Sequence, residues 1–235
     1  MKAKTIFYSL LFILTFLSCS KSVNYSQEYM DNTSGRYLYN QDDVIEVYYE
    51  NNKMYFKWRG AEKISPVVLD EKTFILIEMN QKFRFFQHPE TKERYLAKIP
   101  KENENLISYD YLKVADSFKT PSMHIKDKEY NQALLGYLEI QKQDSTNFLI
   151  EEGSFNSRGY QFLRDKKHDD AIGIFMINVA LYPESSNVYD SLADAYVRSG
   201  DSIQAYNNYK IALQLNSENR RAKQFTEDYK KKNLD

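Results

Sequence analysis

Between Gly35 and about Ile99 apolar positions alternate with polar ones, whereas from about Lys128 onward they recur every three or four residues. The first pattern is that of strands with one buried face, and the second is that of amphipathic helices. Val44–Glu50 and Lys53–Gly60 flank Asn51-Asn52, a dipeptide that accepts positive φ and so predicts a tight hairpin. Further breaks at Gly60-Ala61-Glu62, Asp70-Glu71-Lys72, Met79-Asn80 and His88-Pro89-Glu90 predict an antiparallel meander of six or seven strands, curled into a half-barrel. Met54, Phe56 and Trp58 share one face of it, as do Phe83 and Phe85, while Lys57 and Arg84 point the other way.

The helical part repeats. Phe155, Gly159, Phe162, Ala171, Phe175 and Pro183 are each followed 34 residues later by Tyr189, Ala193, Tyr196, Ala205, Tyr209 and Ser217, with large residues matching large and small matching small at the first five pairs. Small residues are needed where two helices approach closely, and the aromatics fill the space beside them. This spacing resembles the tetratricopeptide repeat (TPR), two antiparallel helices per repeat unit. Arg158, Asn178 and Ser217 depart from the pattern. Upstream, Lys128–Asn147 echoes His168–Asn187 at an irregular interval, and Tyr109–Phe118 is expected to be the first helix of that pair. Downstream, Glu218–Lys232 is polar on most sides and reads as a capping helix that shields the last repeat.

A second resemblance covers the strand region. Gly35–Tyr39, Asn52–Trp58, Ile64–Val68, Phe74 and Lys82–Phe86 look like the small β domain at the C-terminus of penicillin-binding-protein-like (beta-lactamase-related) serine hydrolases. In that family the domain supplies no nucleophile. The resemblance implies, as an alternative function, an accessory or remnant of a serine-hydrolase system; small-ligand binding inside the β domain is a further one.

The N-terminus carries an address. Lys2 and Lys4 precede an apolar run, Thr5–Leu17, and small Ser18 precedes Cys19, the one cysteine of the chain. A lone thiol has no internal disulfide to make. Phe16-Leu17-Ser18-Cys19 resembles a bacterial lipobox, apart from Phe16 in place of an aliphatic residue, and implies acylation of Cys19 after removal of a signal peptide. The expected place is the cell envelope, at the outer membrane on its periplasmic side.

Composition narrows the role. With 42% hydrophobic and 28% charged residues the chain is globular, and a net charge of −1 gives no reason to expect nucleic acid. No G-x-S-x-G, P-loop or H-E-x-x-H occurs, so neither catalysis nor a cofactor is expected. His88 with Glu90 and Glu93 is read as a solvated hairpin, and no metal site is assigned.

The expected architecture is therefore α+β and multidomain. It comprises a lipoprotein signal peptide (1–18), a tether (19–33), an antiparallel β domain (34–100), a linker with an irregular first helix (101–125) and a TPR-like solenoid (126–235). Its expected role is a non-enzymatic scaffold that binds an unidentified protein or peptide and is attached to a membrane through its acylated N-terminus. In the family that the repeat resembles, the first helix of each pair lines a groove, which implies Asn156, Tyr160, Leu163 and Arg164 in one repeat and Asp190, Asp194, Val197 and Arg198 in the next as partner-facing. The competing reading makes these solubilising surface residues, or residues covered by the C-terminal cap.

Overall fold

A computed structural model describes residues 23–233. Cys19 and the signal-peptide segment lie outside the described residues. The chain divides into two compact units, one made of residues up to Gly35 with Glu46–Asp110, the other of Arg36–Ile45 with Tyr111 onward. Among the described residues eight strands occur where six or seven are expected, and a ninth follows beyond that stretch: β1 (Gly35–Asn40), β2 (Asp43–Glu50), β3 (Lys53–Trp58), β4 (Ala61–Ile64), β5 (Val67–Val68), β6 (Thr73–Leu76), β7 (Gln81–Gln87), β8 (Arg94–Lys98) and then β9 (Tyr111–Val114).

In the first unit two antiparallel ladders form. One joins β2, β3 and β4, with Val47 opposite Phe56; the other joins β5 through β8, with Phe74 opposite Phe83. Asn51 and Asn52 take φ of 48° and 60°, the hairpin conformation that the dipeptide predicts. The inner faces meet through rings: Phe74 lies 5.2 Å from Phe56 and 5.3 Å from Phe85. Met54, Phe56, Phe74 and Phe83 are buried, so packed side chains fill the inner face of this unit. Outside, Lys57 pairs with Glu46 at 3.4 Å, as the alternation requires.

Residues 27–33, expected within the tether, form a helix instead, α1 (Gln27–Thr33), whose first turn is capped by Ser26. The cause is aromatic burial. Tyr25 and Tyr29, one turn apart, stack at 5.2 Å, and reach Tyr49 and Phe85 respectively. The Asn52 amide clasps Tyr25 by accepting from its N–H at 2.8 Å and donating to its carbonyl at 2.7 Å. Burial, with Asp70 and Glu71 nearby, pushes the Tyr25 phenol up to about 12.

The second unit begins with β1 against β9, in the register Arg36↔Val114. The segment 109–118, expected to be a helix, thus contains a strand: Tyr111-Leu112-Lys113-Val114 alternates and suits a pleated surface. The helix in the place of that expected first helix is α2 (Pro121–Lys126), with Thr120 as its cap and Pro at its first position. Asp42 holds it in place, accepting from the Ser122 N–H and hydroxyl at 2.5 Å each and from the Tyr137 hydroxyl at 2.9 Å.

Then follow α3 (Tyr130–Gln143), α4 (Glu152–Arg164), α5 (His168–Leu181), α6 (Ser186–Ser199), α7 (Ser202–Leu215) and α8 (Arg220–Asn233). The 34-residue interval is visible as the pairs α4/α5 and α6/α7. A Cβ on Gly159 would come within 2.4 Å of the Phe175 ring, which is why that position is small. Gly200, at φ 90°, ends α6 in the left-handed conformation. The last helix seals the stack: Phe225 packs 5.0 Å from Tyr209 and Tyr229 4.5 Å from Tyr206, while the opposite face of α8 is charged.

Asp170, at the start of α5, ties α3 to α5. It accepts from the Tyr130 hydroxyl at 2.7 Å and pairs with Lys128 at 3.0 Å. Burial alone would raise its pKa, but these two partners outweigh burial and hold the carboxyl below its ordinary value of 3.8. A carboxyl depressed in the folded state stabilises at pH above its unfolded pKa, and that contribution is lost as pH falls through the folded value. Asp170→Asn is therefore expected to lower the melting temperature at pH 7, with the gap to the parent protein closing in acid below about pH 4. A gap independent of pH in thermal melts from pH 7 to 3 would contradict this assignment.

Candidate functional site

The first helices of the pairs, α4 and α6, lie side by side, and α8 continues the row. Side chains at matching turns of these helices share one face. Asn156 on α4 is half-buried and accepts from the Ser191 hydroxyl of α6 at 2.7 Å. Tyr160, one turn on, sets its ring edge against Phe175 at 5.3 Å and accepts a hydrogen bond from Arg221 Nη2 at 3.4 Å. Val197 and Arg164 are exposed. Leu163 is not partner-facing: it is buried with Ala171, Phe175, Leu192 and Ala195, because its turn of α4 points into the core that the two pairs share.

The two aspartates differ most from expectation. Asp190 and Asp194, one turn apart on α6, are only 7% and 8% exposed. Asp190 accepts from Asn219 Nδ2 at 3.0 Å and is closely ion-paired with Arg221, at the start of α8. Asp194 is paired with Arg198 Nε at 3.2 Å on its own helix and lies 3.6 Å from Arg221 Nη1. Buried carboxylates need such partners, because desolvation disfavours an unpaired charge. The guanidiniums remain accessible, with side-chain exposures of 51% for Arg198 and 47% for Arg221.

Arg221 and Asn219 were not legible as site residues from the repeat alone. A signal exists, however: one further step of 34 residues from Asn187 falls on Arg221. The two residues play parallel parts, since Asn187 donates from α6 back to Glu152 on α4 at 2.9 Å, as Arg221 reaches from α8 back to α6.

Elsewhere the chemistry-bearing side chains are occupied locally. His88 Nδ1 accepts from the backbone N–H groups of Glu90 and Thr91 at 3.2 Å, and Glu93 accepts from Thr91 and Tyr95. No group of three or more His, Cys, Asp or Glu side chains is placed to hold a metal ion among the described residues. A cleft of about 220 Å³ in the first unit, between Ile75, Asn80, Pro100 and Lys101, is crossed by the Lys82–Glu104 ion pair.

No protein-family model matches this chain, and no curated protein matches it. Solved structures do match part of it. The first TPR of Spaghetti (RPAP3), bound to the HSP90 peptide SRMEEVD, is 18% identical over 49% of this chain and 88% of its own, with a TM-score of 0.35. The Arabidopsis OM64 TPR domain is 20% identical over 47% of this chain and 88% of its own, at 0.33, and the Sgt2 TPR domain from Aspergillus fumigatus is 17% identical over 48% and 73%, at 0.33.

Proposed function

We propose that the helical unit holds a segment of another protein on the face of α4, α6 and α8, and that acylation of Cys19 attaches the chain to a membrane of the cell envelope, with the outer membrane facing the periplasm as the expected site. The observation that carries this reading is the polar row of Tyr160, Arg198 and Arg221. These side chains are accessible, yet buried aspartates and ring contacts fix their positions, so little side-chain entropy is lost when a partner binds. Plain solvated surface does not require buried counterions beneath it. Among the described residues no helix is long and apolar enough to cross a membrane, and in this reading attachment is through the acyl chains on Cys19. The alternatives placed in the β unit have less support, since rings fill its inner face.

The test is in-situ crosslinking of the full-length protein in its native envelope, compared with Tyr160→Ala/Arg198→Ala. Both residues can be truncated without stranding a buried charge, because Asp194 keeps Arg221. Recovery of a specific protein by the parent form, reduced about tenfold or more in the variant at equal expression, is expected for a loss of two polar contacts. Equal recovery by both forms would reject the face as the binding site. In the same cells Cys19→Ala is expected to move the protein out of the membrane fraction, and unchanged fractionation would reject the anchor.

A further inference from the structure

The partner-binding face carries its charges in layers, and the layering selects a class of partner. This step rests on the reading of the α4, α6 and α8 face as a binding surface. The negative layer lies underneath: Asp190 and Asp194 are almost wholly buried and already hydrogen-bonded. The accessible layer is positive. Arg198 spends Nε on Asp194, and its two terminal amino groups make no hydrogen bond among the described residues. Arg198 and Arg221 both approach one oxygen, Asp194 Oδ2, at 3.2 and 3.6 Å, so their guanidiniums converge on one spot. Arg164 holds the matching place one interval earlier on α4, where it is exposed and forms no ion pair among the described residues.

A cationic partner would have to displace Arg198 or Arg221 to reach the aspartates, leaving these buried and poorly paired during exchange. An anionic partner meets guanidinium N–H donors that are already aimed, in the geometry that suits carboxylates. We infer that this face takes an extended acidic segment, whose internal Asp or Glu side chains are bound by Arg164, Arg198 and Arg221. The spacing fits an extended segment of the polyproline-II kind: neighbouring helices lie about 8–10 Å apart, and carboxylates three residues apart on such a segment share one side at a separation of about 9 Å. The convergent Arg198 and Arg221 make one cationic spot and Arg164, on the neighbouring helix, a second, so the segment needs more than one carboxylate, which one terminal carboxylate cannot provide.

The experiment measures binding of fluorescent peptides to the full chain by anisotropy at low salt. The probes are an acetylated, amidated peptide with Glu at every third position and its Gln and Lys counterparts. The Glu peptide is expected to bind, the Gln peptide at least about tenfold more weakly, and the Lys peptide not at all. Raising salt from about 0.05 to about 0.5 M weakens the Glu complex, as screening of accessible charges requires. Arg164→Gln/Arg198→Gln loses about tenfold or more of the affinity with the fold retained, since Asp194 keeps Arg221. Equal binding of Glu and Gln peptides, or preference for Lys, would overturn the acidic assignment while leaving the face intact as a binding site. Glu-peptide binding undiminished in the double variant would overturn both readings. No binding by any probe would overturn the acidic assignment alone, since the crosslinking comparison tests the face independently.

Discussion

Gly159→Ala destabilises the helical unit by about 1–2 kcal/mol, although alanine is the better helix former. In an unobstructed helix the exchange gains up to about 1 kcal/mol from backbone entropy. At Gly159 the new Cβ would lie 2.4, 2.5 and 2.9 Å from three carbons of the Phe175 ring. That ring is fully buried between α4 and α6 and cannot yield without disturbing Leu163, Ala171 and Leu192 around it. Overpacking of this kind costs about 1–3 kcal/mol and outweighs the entropic gain. Gly153, in the first turn of the same helix, is the internal control: nothing lies within 4 Å of its Cβ position, so Gly153→Ala is expected to be neutral to stabilising by up to about 1 kcal/mol. Urea unfolding of the two variants decides the matter, and the same sign for both would refute the close approach of α4 and α5.

Arg221→Ala is expected to cost about 1–3 kcal/mol, less than the full penalty for a buried pair because the guanidinium is itself half-exposed. Its loss strips Asp190 of its cation and leaves only Asn219 as partner, and it removes one of the two arginines near Asp194. The stress is electrostatic, so neutralising the acid should relieve it. In the Arg221→Ala background, Asp190→Asn is expected to restore part of the lost stability, whereas in the parent protein the same change is destabilising. A double-mutant cycle from denaturant unfolding measures this coupling directly. Additive effects would mean that Arg221 stabilises α8 by packing alone, and the layered charge arrangement would lose its basis.

The two variants probe different depths of legibility. Gly159 and its counterpart Ala193 could be found by pattern, because a close helix crossing excludes side chains and so marks its position with small residues at a fixed interval. Arg221 could not be weighed in that way. Nothing in the residue types of Asp190, Asp194, Arg198 and Arg221 says which are buried, since all four are polar and three of them recur at helical spacing on α6. Their exposure depends on how α8 closes over α6, through Phe225 and Tyr229 against Tyr209 and Tyr206. Leu163 shows the same limit from the other side, for its place in the repeat implied a partner-facing residue, but packing between successive pairs draws it into the core.

By itself the sequence determined the change from strands to helices, the Asn51-Asn52 hairpin and the register of α4/α5 and α6/α7. Each of these rests on local periodicity, on the φ that a residue tolerates, or on small residues spaced for contact, all of which are properties of neighbours along the chain. The tertiary structure alone decided that Tyr25 and Tyr29 bind α1 to the β unit, that Tyr111–Val114 pairs as a strand with β1, and that Asp190 and Asp194 lie beneath arginines. The reason is common to all three. Burial of an aromatic ring, pairing of a strand and neutralisation of a carboxylate depend on partners 24 to 78 residues away, for example Tyr49 for Tyr25, Arg36 for Val114 and Arg221 for Asp190, and although Arg221 keeps the 34-residue step, no pattern along the chain says which of these groups meet.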